Sequence, residues 1–347
     1  MGLGMAYVLG AHACGAQARA HIPGSRSAQV TVVDKIKIGV SKCLLGEKVR
    51  YDGGHKLDRY ITETLGQFFA YVPICPEVEY GLPTPRESLR LVGDPASPRL
   101  LTTRTGVDHT EGMQRWAATK LDDLAREDLS GFIFKSRSPS SGLKGVKVYT
   151  TQGMPSHSGT GIFAAAFIRR NPLLPVIDDG RLQDPALREN FIDAVFIYKR
   201  WQDFLQKGGR VGDLVALHTD LKLLILAHSP KHYSTLGRLV AEPKAHTPDE
   251  LHAYYVGLLM EAARLQATSR KHTNVLLHCL GYFKKQLTAD EKAEILDIIE
   301  AYRKGYLPLI VPITMINHYV RKYSEAYLKR QHYLNPYPIE LALRNRL

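Results

Sequence analysis

Three short apolar runs in the first half of the chain each stop abruptly at small and polar residues. They lie within residues 35–43, 70–77 and 131–142, and each is rich in β-branched or aromatic side chains. Between them, apolar residues recur at helical spacing in residues 57–69 and 116–124. This alternation predicts an α/β domain with a Rossmann-like parallel sheet. Ligands bind where the carboxyl ends of such strands meet, so we expect the three run ends to form one crevice.

The second half of the chain has a helical pattern. From residue 161 onwards, apolar residues recur every three or four positions, a spacing typical of helices that pack on a core. Capping signals indicate four helix starts, at Asp184, Ser229, Thr247 and Thr288. This half therefore predicts an all-α region.

Two domains are expected, because 347 residues exceed what one hydrophobic core usually organises. The α/β domain is predicted to include a further short strand at residues 146–149. The predicted division is a disordered N-terminal extension (1–34), the α/β domain (35–168), a helical connector (169–210), an all-α domain (211–330) and an irregular tail (331–347).

Charge and cysteine usage narrow the class of protein. The formal charge of +12 favours a polyanionic partner and is equally compatible with an ordinary solvated basic surface. Four scattered cysteines do not suggest a disulfide scaffold, and no apolar run approaches the roughly 18 residues of a transmembrane helix. Residues 1–30 have a short apolar stretch but lack the basic start of a secretory signal. We therefore predict a cytoplasmic protein.

Cys43, Cys75 and the serine-rich loop 138–141 are the strongest candidates for chemistry at the crevice. Two converging thiolates suit a soft metal or an iron–sulfur cluster, although their spacing is unlike Cys-x-x-Cys. The alternative is that each cysteine is a small buried core residue. Glu77, just beyond a strand end, suits a general acid or base, or else it caps a turn or helix.

The helical region combines basic and aromatic side chains, as RNA-binding surfaces do. Residues 200–347 contain 21 Lys or Arg and 14 Asp or Glu, with tyrosines and phenylalanines interleaved. Basic side chains bind phosphates and aromatic rings stack on unpaired bases. The alternative is a solvated helical face over an aromatic core. The residues predicted to contact RNA are Lys222, Lys231, Arg270, Lys271, Lys284 and Lys285.

Three motifs follow the predicted strands. They are Val-Ser-Lys-Cys-Leu-Leu-Gly at 40–46 with Val-Arg-Tyr-Asp-Gly at 49–53, Cys-Pro-Glu at 75–77 with Gly-Leu-Pro-Thr-Pro-Arg at 81–86, and Lys-Ser-Arg-Ser-Pro-Ser-Ser-Gly at 135–142. Together they resemble the motifs of the bacterial thiouracil and thiouridine desulfidases. The resemblance covers roughly residues 35–165. Residues 205–330 resemble the helical domain of the two-domain form, which acts on 4-thiouridine of tRNA and on related 4-thiouracil compounds.

The resemblance implies a [4Fe-4S] cluster held by three cysteines. One iron is left open to take sulfur from the thiocarbonyl while water replaces it at the ring carbon. Cys43 and Cys75 match two of the cluster ligands, and Glu77 and Ser138 match groups that transfer protons or orient the substrate. Lys135 and Arg137, near the third strand end, suit an anionic or polar substrate, or else each is an ordinary surface charge. Ser140 and Arg86 are also predicted to bind the substrate.

The chain departs from the family pattern at the third cluster ligand. The family loop has Ser-Pro-Ser-Cys-Gly, and here Ser141 occupies the Cys position. A serine hydroxyl is a harder and more basic donor than a thiolate and a poor replacement at iron. Ser141 weakens or abolishes the cluster, or the cluster is held with an oxygen ligand, or the chemistry has changed.

We therefore predict an iron–sulfur desulfidase for thiolated uracil, within tRNA in particular. One alternative is an RNA-binding protein on the same scaffold, with cluster and activity weakened or lost because of Ser141. A second alternative is a metal-free enzyme in which Cys43 or Cys75 is the nucleophile.

Overall fold

The structure is a computed structural model that describes residues 35–150 and 154–346. Residues 1–34, with the predicted disordered extension, lie outside the described part. The strands are β1 (Ile36–Ser41), β2 (Phe69–Ile74), β3 (Leu89–Val92), β4 (Arg99–Thr102), β5 (Phe132–Phe134), β6 (Val146–Tyr149), β7 (Pro155–Gly159) and β8 (Val176–Asp178). The α-helices are α1 (Pro76–Glu79), α2 (Thr110–Leu124), α3 (Ile162–Arg170), α4 (Asp179–Leu182), α5 (Pro185–Gln206), α6 (Val211–His228), α7 (Pro230–Ala241), α8 (Pro248–Arg264), α9 (Ser269–Gly281), α10 (Ala289–Arg303), α11 (Ile310–Lys322) and α12 (Ala326–Arg330).

A four-stranded sheet in the order β2-β1-β5-β8 forms the centre of the first half. All three of its strand pairs are parallel, which confirms the predicted α/β class. Gly39 of β1 pairs with Phe132 of β5, and a Cβ at Gly39 would lie 2.2 Å from the Phe132 ring. Glycine at this position therefore lets the aromatic side chain lie across the neighbouring strand.

Helices cover both faces of the parallel sheet, as expected for strands that are apolar throughout. On one face, α2 and α3 pack through a cluster that includes Phe132, Phe134, Phe163 and Phe167. On the other face, α5 packs on β1 and β5 together with the C-terminal residues Leu341 and Leu343. The opposite side of α5 contributes Ile197 and Trp201 to the core of the helical region.

A second sheet, in the order β4-β3-β6-β7, was not predicted. It is mixed, because β3 and β6 are parallel whereas β4 and β7 each pair antiparallel with their neighbours. The strand predicted at residues 146–149 is β6, and it belongs to this sheet. These strands have four or five residues and partly exposed faces, so their apolar pattern is too short to detect.

Three local expectations need correction. The fourth strand of the parallel sheet, β8, lies where the sequence predicts only helices and turns, because three residues carry no periodic signal. The helix predicted at 57–69 is instead a π-helical turn (Tyr60–Thr64) followed by a 3-10 turn (Leu65–Gln67). The tail predicted as irregular includes a 3-10 turn, Ile339–Leu341, and is anchored because its apolar residues join the α/β core.

The helical region follows the sequence pattern closely. Residues 211–330, all of them described, contain only helices and connecting turns. The side chains of Asp184, Ser229, Thr247 and Thr288 each accept a hydrogen bond from the first turn of the following helix, as the capping signals predicted. Residues from Lys35 onwards form one compact unit, and the proposed domain boundaries within it stay a prediction. Among the described helices, none is long and apolar enough to cross a membrane.

Candidate functional site

The candidate site lies at the carboxyl ends of β1, β2 and β5. The strand order reverses between β1 and β5, and open α/β sheets bind ligands in the crevice at such a switch point. A cavity of about 320 Å³ opens there. Nine residues with a predicted role line it, namely Cys43, Cys75, Glu77, Arg86, Lys135, Arg137, Ser138, Ser140 and Ser141. The structure brings all nine together, and their individual roles stay predictions.

The serine-rich loop after β5 is fixed by its own hydrogen bonds. Ser138 Oγ accepts hydrogen bonds from the backbone N–H groups of Ser140 (3.3 Å) and Ser141 (3.2 Å). The carbonyl of Ser138 accepts one from Gly142 N–H at 2.8 Å. Gly161, just before α3, packs against the loop, and a Cβ there would lie 2.5 Å from the carbonyl carbon of Ser140. Only glycine fits this approach, so the loop conformation is preorganised.

The carboxylate of Glu77 is positioned by Arg86 and Ser140. Arg86 Nε donates to Glu77 Oε2 at 3.0 Å, and Arg86 Nη2 contacts the same oxygen. Ser140 Oγ donates to Glu77 Oε1 at 2.8 Å and lies 3.0 Å from Ser138 Oγ. The side chain of Glu77 is 13% exposed and that of Arg86 is 5% exposed. Glu77, Ser140 and Ser138 thus form a shielded chain of groups that can hold or pass a proton.

Burial disfavours ionisation of the two thiols of the site. Burial raises the pKa of Cys43 to about 11, although Lys135 opposes the shift. Burial also raises the pKa of Cys75, whose Sγ donates a hydrogen bond of 3.9 Å to the carbonyl of Val49. A raised pKa disfavours a free thiolate, so this geometry does not support a metal-free cysteine nucleophile. Metal binding would displace these protons.

Ser141 supplies a hydroxyl where a third thiol would complete a cluster site. It is 4% exposed and lines the same cavity as Cys43 and Cys75. Iron–sulfur clusters are held by soft thiolates, and a hydroxyl is a harder donor. Within residues 35–150 and 154–346, no group of three or more His, Cys, Asp or Glu could hold a metal ion. The side chains present therefore fit two positions of a three-thiolate site and do not fit the third.

Two residues that organise the site were missed from the sequence, Ser41 and Asp179. Ser41 Oγ accepts the backbone N–H of Lys135 at 2.9 Å, and Lys135 Nζ donates to Asp179 Oδ2 at 2.8 Å. Burial would raise the pKa of Asp179, but hydrogen bonds from Lys135 and Ser136 outweigh it and lower the pKa. Each is a polar residue at the end of a strand, which is the sequence signal that could have identified it. For Asp179 that signal was lost because its strand, β8, was not predicted.

The six basic residues predicted to contact RNA lie outside the lining of this cavity. Two of them already have partners within the protein. Lys271 Nζ donates to the carbonyls of His228 (2.8 Å) and Gln266 (2.9 Å), and Lys222 Nζ lies 4.8 Å from the ring centroid of Tyr327. The exposed ones are Lys231, Arg270, Lys284 and Lys285.

Two stretches of the chain match known families. Residues 38–179 match the family described as 2-thiouracil desulfurase, and they include all nine predicted residues of the cavity. Residues 222–338 match a family of proteins of unknown function, DUF1722.

Individual relatives each cover less than half of this chain. The uncharacterized protein YbgA of Escherichia coli (strain K12) is 36% identical over 137 residues, which are 39% of this chain and 80% of YbgA. The uncharacterized protein YbbK of Bacillus subtilis (strain 168) is 31% identical over 150 residues, which are 42% of this chain and 97% of YbbK. A solved structure of the [4Fe-4S]-dependent thiouracil desulfidase TudS is 30% identical, with a TM-score of 0.36, and the match covers 43% of this chain and 95% of that one.

Proposed function

Because this chain belongs to the 2-thiouracil desulfurase family through residues 38–179, we propose that it is a desulfidase for 4-thiouracil derivatives, 4-thiouridine in tRNA included. The observation that supports this most is the convergence of two thiols and a positioned carboxylate–serine chain on one cavity. Its volume of about 320 Å³, small among ligand pockets, suits one base. We propose in addition that Ser141 limits turnover.

The net reaction replaces the thiocarbonyl sulfur with the oxygen of one water molecule. The C=S double bond is replaced by a C=O double bond, and the sulfur leaves as hydrogen sulfide with the two protons of water. No oxidant or reductant is needed. Glu77 Oε1 is the atom at which this chain can take up or return a proton, since Ser140 donates to it. Arg86 holds the carboxylate in position from the opposite side.

The proposed cofactor is an iron–sulfur cluster held by residues of the same crevice. Cys43 and Cys75 would provide two thiolates to a [4Fe-4S] cluster, and Ser141 would have to provide the third donor. A hydroxyl does not fit that position. We therefore expect this chain to retain iron weakly and its rate of desulfuration to be low.

A second candidate function is RNA binding without turnover. Ser141 is the observation that favours it, because an incomplete cluster site removes catalysis while the crevice and the basic surface persist. In either case the charge of +12 supports a polyanionic partner such as tRNA. A cytoplasmic location is part of the same proposal, since tRNA is the partner.

Protection of a cysteine from alkylation tests binding in the crevice. We expect uracil, the product of the proposed reaction, to slow the alkylation of Cys75 by iodoacetamide at pH 9, measured peptide by peptide by mass spectrometry. Uracil has no sulfur, so it does not consume the reagent. Cys279, which is fully buried, is the internal control and should react equally slowly with and without the compound. Unchanged alkylation of Cys75 would show that uracil binds elsewhere or not at all.

A matched pair of variants assigns the binding to Glu77. Glu77→Gln should weaken the protection by about tenfold or more, because a hydrogen bond to a charged group contributes about 1.5–3 kcal/mol. Glu63→Gln makes the same chemical change at a side chain that is 69% exposed, and it should leave the protection unchanged. Equal protection of Cys75 in both variants would show that Glu77 does not contribute to binding of the compound.

A further inference from the structure

A second, larger cavity adjoins the crevice and is lined by basic side chains. This cavity, the basic groove, has a volume of about 1160 Å³ and is formed by residues of β3 and β6 and by the loops after β5 and β8. It shares residues 135–137 and Pro139 with the lining of the crevice. A ligand that entered the crevice could therefore continue into the basic groove without leaving the protein surface.

The basic groove concentrates positive charge. Six Lys or Arg residues and a single carboxylate, that of Asp178, line it. Asp178 Oδ1 accepts the backbone N–H of Arg181 at 2.9 Å, so this acid caps α4. The basic residues are Arg90, Lys135, Arg137, Lys144, Lys147 and Arg181.

Among the described residues, five of these six cations lack an acidic partner. Lys135 forms an ion pair with Asp179 at 2.8 Å, whereas the others form no ion pair within the part of the chain that the structure describes. In the neighbouring crevice, by comparison, Arg86 is paired with Glu77. Cations that the fold leaves uncompensated in one concave surface create a field that attracts anions.

Arg90 and Tyr149 form part of the wall of the groove. The Arg90 guanidinium lies 5.8 Å from the ring centroid of Tyr149, and its Nε is buried. The guanidinium is thus held in the wall, where it adds its charge to the groove. The ring of Tyr149 lines the same groove and can stack on a base.

We propose that the basic groove binds the sugar–phosphate backbone of a single RNA strand that flanks the base held in the crevice. The inference rests on the proposed function, because the crevice must hold the thiolated base. Five uncompensated cations exceed what one phosphate requires, so the groove suits several successive phosphates. The contacts are to the backbone, so the groove positions the strand and does not read its sequence.

Binding of a labelled oligouridylate of 12 nucleotides tests the proposal. The double variant Lys144→Ala with Lys147→Ala changes two exposed residues of the groove and should weaken binding more than tenfold. The slope of log K against log salt concentration should fall by about 1.4, since each single-strand phosphate contact contributes about 0.7. The matched control, Arg126→Ala with Arg169→Ala, removes two exposed charges outside the groove and should stay within twofold of the unmodified chain.

Two results would overturn the proposal. One is an affinity for oligouridylate that the groove variant shares with the control. The other is an equal loss for uridine 5′-monophosphate and for the oligomer, which would indicate a site for one phosphate. The protection of Cys75 by free uracil should persist in the groove variant. If uracil fails to protect Cys75 in the unmodified chain, that result counts against the proposed function alone, because oligouridylate can bind the basic groove whether or not the crevice holds a base.

Discussion

The α/β part and the helical part of this chain arrange their charged side chains in opposite ways. In the crevice at the ends of the parallel strands, Glu77 and Arg86 form an ion pair with side-chain exposures of 13% and 5%. In the helical part, the six residues predicted to contact RNA are distributed over α6, α7, α9 and the turn after α9. Four of those six are exposed.

This difference between the two parts shows which kind of sequence signal can locate a functional site. Residues in short motifs at strand ends are brought together by the topology of the sheet, so a motif predicts a place. A basic composition predicts a class of partner and not a place, because a helix distributes its charges around its axis and along its length. The basic groove of the α/β part illustrates the same point, because the motifs included only Lys135 and Arg137 of its six cations and the charge count located none of them.

The largest effect is expected from separating the buried pair of the α/β part. Arg86→Met leaves the Glu77 carboxylate shielded and without its cation, which costs about 3–5 kcal/mol of unfolding free energy when one partner of a buried pair is removed. The midpoint of urea unfolding measures the change. The matched control is Arg99→Met, which breaks the 2.8 Å pair with Asp108 at side-chain exposures of 62% and 39% and should cost less than about 1 kcal/mol. Equal losses in the two variants would contradict the contrast.

The helical part should be the acid-sensitive region. Burial and, to a smaller extent, the charge of Lys222 lower the pKa of His218 to about 4, against about 6.5 in the unfolded chain. The unfolded state then binds the proton more readily between these values, so stability present above pH 6.5 is lost as the pH falls towards 4. The loss amounts to at most about 3.5 kcal/mol, since one pKa unit corresponds to about 1.4 kcal/mol.

The variant His218→Gln tests that assignment in urea unfolding at pH 7 and pH 4.5. It should reduce the difference in unfolding free energy between the two pH values and leave a remainder, because burial also lowers the pKa of His332 to about 4 and that of His272. The exposed His55 provides the control His55→Gln, which should keep the full difference. An undiminished difference in His218→Gln would contradict the account.

The smallest effect is expected on the exposed surface of the helical part. Lys284→Ala with Lys285→Ala should weaken binding of full-length tRNA by about three- to tenfold through lost phosphate contacts. It should leave the affinity for the 12-nucleotide oligouridylate within twofold, because that probe is held by the basic groove. Filter binding with both ligands distinguishes the two surfaces. A similar loss for both ligands would place the short strand on the helices.

The parts of the molecule that could be read from the sequence are those with strong local signals. The strands β1, β2 and β5 have apolar runs that end at polar residues, and the capped helices begin at the predicted positions. The second sheet could not be predicted, because its strands are short and half exposed. Asp179 could not be placed, because its partner Lys135 is 44 residues away in sequence and only the sheet brings them together.

Anaerobic iron–sulfur reconstitution of the unmodified chain and of Ser141→Cys, with 4-thiouracil consumption followed by absorbance, tests the proposal that the crevice is a desulfurase site with one cluster ligand replaced. Ser136→Cys adds a thiol to the same cavity lining away from the third ligand position and serves as the control. We predict that Ser141→Cys retains about four irons per chain, the content of a [4Fe-4S] cluster, and that it consumes 4-thiouracil faster than the unmodified chain and the control, both of which retain less iron. Iron content and turnover that are equal in the unmodified chain and in Ser141→Cys, or the absence of both from Ser141→Cys, would contradict the proposal.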